Sequence, residues 1–235
     1  MNGRPGGTHD GGISRPFREI AAALTRHDTG VLSDALERVH GPGVAVGIRA
    51  LSAQPRRIAG RAMTVELTAG RLEGRAVHLG ARAIDAAGAG DVIVVANDGR
   101  LDAAAWGGLL SAGAAVRGIQ AVVIDGACRD VEEQRDLDVE IFCKGVVPAT
   151  ARGRFAERSW GGPIMISGVP VDAGDWVVGD ATGIVIVPAG RVEAVIAAAA
   201  HLARREAGLR QAILARQLVS EVLDASYESL IAGGE

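Results

Sequence analysis

The chain has 235 residues, of which 48% are hydrophobic and 3% aromatic, so it can bury a sizeable core without disulfides. Its formal net charge of -3 provides no global basic field for nucleic acid, and its two cysteines lack zinc or disulfide-framework spacing. Because the chain has no signal-peptide pattern and no apolar run near the ~18 to 20 residues of a membrane span, we expect a soluble, cytoplasmic protein that binds neither membrane nor nucleic acid.

The first part of the chain predicts two helices and a strand. Residues 1–15 are polar and rich in glycine, and we expect them to be disordered. Residues 17–26 carry apolar side chains on one helical face. Asp28 or Thr29 can cap a second helix, and residues 62–67 alternate apolar and polar as in a half-buried strand.

An α/β pattern follows. Residues 91–96 and 120–125 are continuous apolar runs and predict strands buried on both faces. Residues 76–87 and 103–117 are predicted helices, and 131–136 a short one. Two buried strands joined by one helix indicate a βαβ unit with parallel strands.

The second half of the chain is richer in short strands. Pro188 ends the last of them, and a helical tail is predicted from residue 191 to about 230. We see no internal repeat and no linker, so the predicted organisation is a disordered segment (1–15), one α/β catalytic domain (16–190) and a helical tail (191–235). The predicted strands cover residues 141–147, 164–171, 176–178 and 184–187.

Charged residues follow the two predicted buried strands. In open α/β sheets, sites lie beyond the carboxyl ends of parallel strands. The second strand leads into Arg129 and Asp130, and the first into Asn97 to Arg100 at the same edge. This pattern fits a functional site, and it also fits a surface turn with a salt bridge. Glycines 107 and 108 can let backbone amides approach an anion, or they can serve helix packing alone.

A longer pattern connects these residues. Gly108, twenty further residues, then Arg129, Asp130 and Glu133 resemble the motif G-x20-R-D-x2-E/Q. That motif marks the superfamily of the regulator of RNase E activity A (RraA) and the 4-hydroxy-4-methyl-2-oxoglutarate aldolases. Segments 60–64, 126–130 and 174–180 are similar to other landmarks of the family. The resemblance implies an α/β fold, an RraA-like αββα sandwich of the swivelling β/β/α type, with a C-terminal helical extension.

The resemblance also implies a role for each residue of the motif. Arg129 would contact the keto and carboxylate oxygens of a small 2-oxo acid. Asp130 would be the single direct ligand of Mg²⁺, Mn²⁺ or another divalent cation, and Glu133 the acid that holds metal-bound water. The backbone amides that would bind the substrate belong to Gly107, Gly108, Leu109 and Leu110.

This chemistry is physically consistent. Mg²⁺ prefers oxygen ligands and keeps several waters, and a metal and an arginine can both stabilise the enolate left when a C–C bond breaks. The implied function is a metal-dependent (class II) aldolase, a lyase that cleaves 4-hydroxy-4-methyl-2-oxoglutarate or a related 4-hydroxy-2-oxo acid to pyruvate. An oxaloacetate decarboxylase side activity is expected, and so is assembly as a homotrimer or homohexamer.

The sequence allows three alternatives to this function to be compared with it. A Schiff-base mechanism has one candidate, since Lys144 is the sole lysine. A non-catalytic RraA-like regulator of an RNA-processing enzyme is the second; RraA departs from the Arg-Asp pair that this chain retains. A quinone-pathway methyltransferase would need a nucleotide-binding glycine loop after the first strand, which the sequence lacks.

Two features of the resemblance concern acids outside the motif. Some aldolases of the family carry an acid near the position of Gly108, so Asp98 or Asp125 would have to substitute for it, or decarboxylation would be favoured over aldol cleavage. The aldolases also have a helical tail, from which a glutamate of a neighbouring subunit can reach the site. Glu206 is the nearest match, although a solvated helix face would look the same.

Overall fold

The computed structural model describes residues 16–70 and 78–223. Within those ranges the strands are β1 (Arg49–Ala50), β2 (Ile58–Ala69), β3 (Val92–Trp106), β4 (Ala121–Cys128), β5 (Glu140–Val146), β6 (Phe155–Trp160), β7 (Ile164–Ile166), β8 (Val169–Val171), β9 (Trp176–Gly179) and β10 (Ile184–Val187). The helices are α1 (Phe17–Thr25), α2 (Thr29–Val39), α3 (Ala81–Ala86), α4 (Gly108–Val116), α5 (Val131–Arg135), α6 (Val192–Leu214) and α7 (Val219–Val222).

One mixed sheet organises the fold. Its strands follow the order β1-β5-β4-β3-β2-β9-β10, with β6 also paired to β2. Strands β2 to β5 are parallel to one another. The chain from residue 45 into β1 connects β10 with β5, because Ala45 N donates to Ile184 O of β10 (3.1 Å) and Arg49 of β1 pairs with Cys143 of β5. The sheet therefore nearly closes on itself.

Three buried clusters fill the layers of the fold. Alternate residues of a strand point to opposite faces, so Val122 and Ile124 of β4 pack on α3 and α4, whereas Ala121 and Val123 face the interior between the β layers. The third cluster packs α1, α2 and α6 on β9 and β10. The β7–β8 hairpin adds Ile166 to the interior cluster. This arrangement is an αββα sandwich.

Much of the predicted architecture is confirmed. The α/β class, the C-terminal helix and the parallel β3-α4-β4 unit are all present. Asp28 is the cap of α2, since its Oδ1 accepts from Val31 N at 3.0 Å. The strand predicted over 62–67 is longer at both ends, and α5 lies where the short helix was predicted.

The prediction of a helix from residue 103 is wrong, because β3 continues to Trp106 and α4 begins at Gly108. The alanines at 103–105 favour a helix in isolation, but they are buried and Ala104 N donates to Ala149 O at 2.9 Å. Similarly, α3 is shorter than the helix predicted over 76–87, of which residues 76 and 77 lie outside the described residues.

Other differences concern the second half. Strand β6 was not predicted, and the single strand predicted over 164–171 is the β7–β8 hairpin, whose turn has positive φ at Ser167 and Gly168. The predicted tail is interrupted after α6, where Arg216 has φ 66°. Residues 1–15, for which disorder was predicted, and the end of the predicted tail lie outside the described residues. The division of the chain at residues 190 and 191 stays a prediction. Across residues 16–70 and 78–223, no helix has the length and apolar character needed to cross a membrane.

Candidate functional site

The predicted site residues meet at the ends of β3 and β4. Arg129 N, directly after β4, donates to Trp106 O at the end of β3 (3.1 Å). On the other side, Val147 N donates to Cys128 O (3.0 Å). Gly107 and Gly108, which follow β3, are therefore next to the Arg129–Asp130 pair, because β3 extends to Trp106 and does not end at residue 96 as predicted.

The carboxylate of Asp130 joins the two segments. Its Oδ2 accepts from Gly108 N at 3.0 Å and from Arg129 Nε at 3.2 Å. Asp130 has φ 60° and ψ 41°, a left-handed conformation that is uncommon for a residue with a side chain. The side chains of Arg129 and Asp130 are 40% and 31% exposed, so a ligand from solvent can reach both.

The two glycines leave the space that these side chains occupy. A Cβ at Gly107 would lie 2.7 Å from Asp130 Oδ2 and 3.3 Å from Arg129 Nε. A Cβ at Gly108 would overlap Glu133 Oε2 and lie 3.3 Å from Asp130 Cβ. Two carboxylates, Asp130 and Glu133, thus flank Gly108, and that of Glu133 stands where a side chain at position 108 would begin.

The start of α4 provides backbone donors beside these carboxylates. Gly107 is its N-cap residue and has extended backbone (φ -156°). The first turn of a helix leaves its N–H groups without acceptors inside the helix and carries partial positive charge. Asp130 takes the amide of Gly108, and those of Leu109 and Leu110 belong to the same first turn. The site can therefore bind an anion next to Arg129.

The carboxylates fit a hydrated divalent cation. In the parts of the chain that the structure describes, no group of three or more His, Cys, Asp or Glu side chains is placed to hold a metal. The described residues therefore do not suit zinc, which takes three or four protein ligands. Mg²⁺ is commonly bound through one or two carboxylates while it keeps several waters. Asp130, with Glu133 beside it, matches that requirement.

Asp98 and Asp125, the predicted substitutes for an acid at position 108, have other partners. Asp98 Oδ2 lies 2.8 Å from Arg100 Nη2. Asp125 is buried, with Oδ1 2.7 Å from Lys144 Nζ, and its Oδ2 accepts from Ser167 N at 3.0 Å. Besides Asp130, the acid that lies next to residue 108 is Glu133.

The ion pair of Lys144 bears on the Schiff-base alternative. A Schiff base forms from an unprotonated amine, whereas Lys144 Nζ lies against the buried carboxylate of Asp125, whose side chain is 5% exposed. An amine held in this ion pair is not free to attack a substrate carbonyl. The geometry therefore disfavours Lys144 as a nucleophile.

Cys128 is a packing residue, as predicted. It is fully buried on β4, and its Sγ lies 3.5 Å from that of Cys143. The hydrogen bond to Cys143 and burial both raise the pKa of the Cys128 thiol, which opposes formation of a reactive thiolate.

Glu206 lies on α6, which packs against α2. Burial first, and then the carboxylates of Asp34 and Asp28, raise the pKa of Glu206. The acidic residues that contribute to this shift are therefore Asp34 of α2 and Asp28, the N-cap residue of α2. A role for Glu206 at the site of a neighbouring subunit stays a prediction.

Sequence reasoning missed Gln134. Its Nε2 donates to Arg129 O at 2.6 Å, and the residue is 4% exposed. Gln134 lies three residues after Val131, which places the two on the same face of α5. A glutamine on the inward face of a short helix next to the Arg-Asp pair is the signal from which this contact could have been predicted.

Comparisons with known proteins agree on a family. The family model described as RraA-like, Aldolase/RraA, matches residues 29–186. "Protein DlpA" of Legionella pneumophila is 33% identical over 165 residues, which are 70% of this chain and 27% of that protein. The protein named "Putative 4-hydroxy-4-methyl-2-oxoglutarate aldolase" of Halalkalibacterium halodurans is 34% identical over 140 residues, 60% of this chain and 64% of that protein.

A solved structure extends the likeness to the fold. Streptomyces coelicolor RraAS2, described as an unusual member of the RNase ES inhibitor RraA protein family, superimposes with a TM-score of 0.77 and 25% identity. The match covers 84% of this chain and 99% of that one. The chain thus spans nearly all of this structure, but less than two thirds of the two curated relatives.

Proposed function

The chain belongs to the RraA-like, Aldolase/RraA family, and on that premise we propose that it is a lyase that depends on a divalent metal. Its substrate is 4-hydroxy-4-methyl-2-oxoglutarate or a related 4-hydroxy-2-oxo acid, and one product is pyruvate. The observation that carries the proposal is the placement of Asp130 Oδ2 between Gly108 N and Arg129 Nε, at 3.0 and 3.2 Å, with the Glu133 carboxylate beside Gly108. Relatives named as aldolases of this substrate support the reaction class.

Different groups of the site bind different parts of the substrate. The carboxylate of the 2-oxo acid binds at the start of α4, where the amides of Leu109 and Leu110 are free of helical acceptors. The guanidinium of Arg129 presents a planar set of donors that can contact carboxylate and keto oxygens together. Mg²⁺ or Mn²⁺, held by Asp130 with Glu133 ordering its waters, would supply Lewis-acid stabilisation of negative charge.

The same residues stabilise the reaction as charge develops. The bond between C3 and C4 breaks, its electron pair passes into the 2-oxo group as an enolate, and the C4 hydroxyl becomes the carbonyl of the second product. Arg129 donates to the enolate oxygen, where negative charge grows. A water beside Glu133 takes the C4 hydroxyl proton, and protonation of the enolate at C3 then gives pyruvate. Oxaloacetate loses CO₂ to leave the same enolate, so decarboxylation is the expected side activity.

We also propose assembly as a homotrimer or homohexamer. Large apolar side chains of β3, of the start of α4 and of the end of β5 are exposed: Leu101 by 52%, Leu109 by 87% and Val146 by 58%. Exposed apolar side chains of this kind are what a subunit interface would cover. A neighbouring copy that covers this edge would also exclude water from the site, and its Glu206 would be the candidate for an additional acid.

The second candidate is a non-catalytic regulator that binds an RNA-processing enzyme. The likeness to Streptomyces RraAS2, whose description names an RNase ES inhibitor family, favours it. The exposed Arg129–Asp130 pair favours the lyase, because a protein that only masks a partner has no need of a carboxylate held at a helix start beside a guanidinium.

Pyruvate release decides between these functions. The purified protein is given oxaloacetate or 4-hydroxy-4-methyl-2-oxoglutarate, with Mg²⁺ in one arm and excess chelator in the other, and pyruvate is followed through NADH oxidation by lactate dehydrogenase. We expect release from both substrates with Mg²⁺ and loss of release with chelator. Full activity in chelator would contradict the metal mechanism, and no release from either substrate in any arm would favour the regulator.

A further inference from the structure

Three consecutive peptide carbonyls form the turn from β4 into α5, and each has a donor. Cys128 O accepts from Val147 N (3.0 Å), and Asp130 O from Gln134 N (3.3 Å). The middle one, Arg129 O, accepts from the Gln134 side chain, Nε2, at 2.6 Å. The bond at the centre of the turn therefore depends on a side chain, and the bonds on either side of it are made by backbone.

The orientation of this middle peptide fixes the conformation of Asp130. The Arg129 carbonyl belongs to the peptide that precedes Asp130, so its direction sets φ of Asp130, which is 60°. A left-handed conformation for such a residue persists only where the surroundings impose it. The direction of the Asp130 side chain, and hence its bond to Gly108 N, follows from that backbone conformation.

Gln134 is buried with one of its two polar side-chain atoms hydrogen-bonded and the other without a partner among the described residues. The residue is 4% exposed, and within residues 16–70 and 78–223 its Oε1 has no hydrogen-bond partner. A buried acceptor without a donor is unfavourable, so an apolar side chain of the same size would suit the surroundings of Oε1 better. The bond to Arg129 O is the contact that an apolar side chain would lose.

We propose that Gln134 is a positioning residue, which holds Asp130 in the conformation that binds the metal by fixing the preceding peptide. This inference rests on the proposed function, because it takes Asp130 as the metal ligand. Gln134 does not contact substrate or metal itself. Groups that orient a metal ligand in this way typically change metal affinity by ~10- to 100-fold when they are replaced.

The test compares two Gln→Met variants. Gln134→Met keeps the length of the side chain and removes the donor. Gln120→Met is the matched control, since Gln120 Oε1 accepts from the Ala59 amide at 2.7 Å next to the other end of β4. Mn²⁺ binding to wild type and both variants is measured without substrate by electron paramagnetic resonance of the free ion, and thermal unfolding of each is recorded.

We expect Gln134→Met to weaken Mn²⁺ binding at least ~10-fold and Gln120→Met to leave it within twofold, although both lower the unfolding midpoint. Equal Mn²⁺ affinity of wild type and Gln134→Met would overturn the role of Gln134 while leaving the metal site in place. A wild type that binds no Mn²⁺ would overturn the proposed function and this inference with it. If Gln134→Met does not fold, Gln134→Glu, which keeps the shape and replaces the donor by an acceptor, is measured against the same control with the same expectation.

Discussion

Replacement of Gly108 by alanine tests whether the position of the Glu133 carboxylate matters. Gly108 begins α4, and a Cβ there would overlap Glu133 Oε2. Glu133 is exposed and can turn away, so we expect Gly108→Ala to fold with stability within about 1 kcal/mol of wild type. Because the carboxylate must leave its place beside Gly108, we expect the Mg²⁺ concentration for half-maximal activity to rise ~10- to 100-fold, the usual effect of disturbing an outer-shell partner.

Gly113→Ala is the matched control on the same helix. A Cβ at Gly113 would meet Ile84 Cγ2 and Cδ1 at 3.8 and 3.9 Å, which is ordinary van der Waals contact. Alanine is favoured over glycine in a helix interior by about 0.8–1.0 kcal/mol. This corresponds to an increase of ~2–4 °C in unfolding temperature for a chain of this size.

Pyruvate release at a series of Mg²⁺ concentrations, together with thermal unfolding, measures both effects. The control should be more stable and fully active. If Gly108→Ala folds and keeps the wild-type Mg²⁺ dependence, then the carboxylate of Glu133 has no part in the site and the reasoning is refuted.

Four further outcomes are expected. Arg129→Ala should lower pyruvate release at least ~10²-fold, the scale for loss of one charge-stabilising donor, and turnover near wild type in the folded variant would rule out its role. Asp130→Asn, which keeps the size and tolerates the left-handed conformation, should abolish activation by Mg²⁺ with little change in unfolding temperature; activation that survives would contradict the metal ligand. Borohydride added with pyruvate should leave Lys144 unmodified in peptide mass maps, and a reduced adduct there would establish the Schiff-base route. Because the raised pKa of Glu206 makes its charged form unfavourable in the folded chain, stability should fall as pH rises from about 4 through the raised value. Glu206→Gln should reduce that fall in thermal unfolding curves between pH 4 and 8, and an unchanged pH profile would contradict the assignment.

The elements that were predicted from sequence are those whose burial matches one simple pattern. Strands β3 and β4 begin with continuous apolar runs, and every residue of β4 is buried. Strand β6 has no such pattern, because Glu157 is buried in it. That carboxylate accepts from Gly80 N and pairs with Arg82, at 2.7 and 2.6 Å. Both partners come from the start of α3, so nothing local to β6 identifies it as a strand.

The second half of β3 shows how tertiary contacts override helix propensity. Residues 103–105 are alanines, which favour a helix, yet their backbone continues the strand alongside β4 with several shifts of register. The shifts begin after Ala96, near the positive φ of Asp98 and Gly99. An irregularity of this kind depends on partner strands distant in sequence, which periodicity does not detect.

The site was predicted in its chain positions but not in its packing. The order of the parallel strands predicts that the ends of β3 and β4 meet at one edge of the sheet. Gly107 and Gly108 lie beside Arg129 and Asp130 only because β3 extends to Trp106, which was not predicted. That Glu133 occupies the space next to Gly108 depends on how α5 turns away from β4, and thus on the left-handed Asp130. The left-handed conformation of Asp130 has no local sequence signal, because its neighbours Arg129 and Val131 are not residues typical of a turn.

The charges of the site give an independent reason to pair a dication with a 2-oxo acid. Arg129 contributes one positive charge, and Asp130 and Glu133 contribute two negative charges, so the three side chains leave one net negative charge at a partly exposed helix start. A divalent cation alone would reverse that sign, and a monoanionic carboxylate alone would be repelled by the two acids. The dication and the 2-oxo carboxylate together bring these charges to neutrality, with that carboxylate next to the α4 amides and Arg129 and the cation next to the acids. The second carboxylate of 4-hydroxy-4-methyl-2-oxoglutarate or oxaloacetate then adds one negative charge. The glycines at 107 and 108 leave room for these carboxylates, because a Cβ at Gly107 would lie 2.7 Å from Asp130 Oδ2 and a Cβ at Gly108 would overlap Glu133 Oε2.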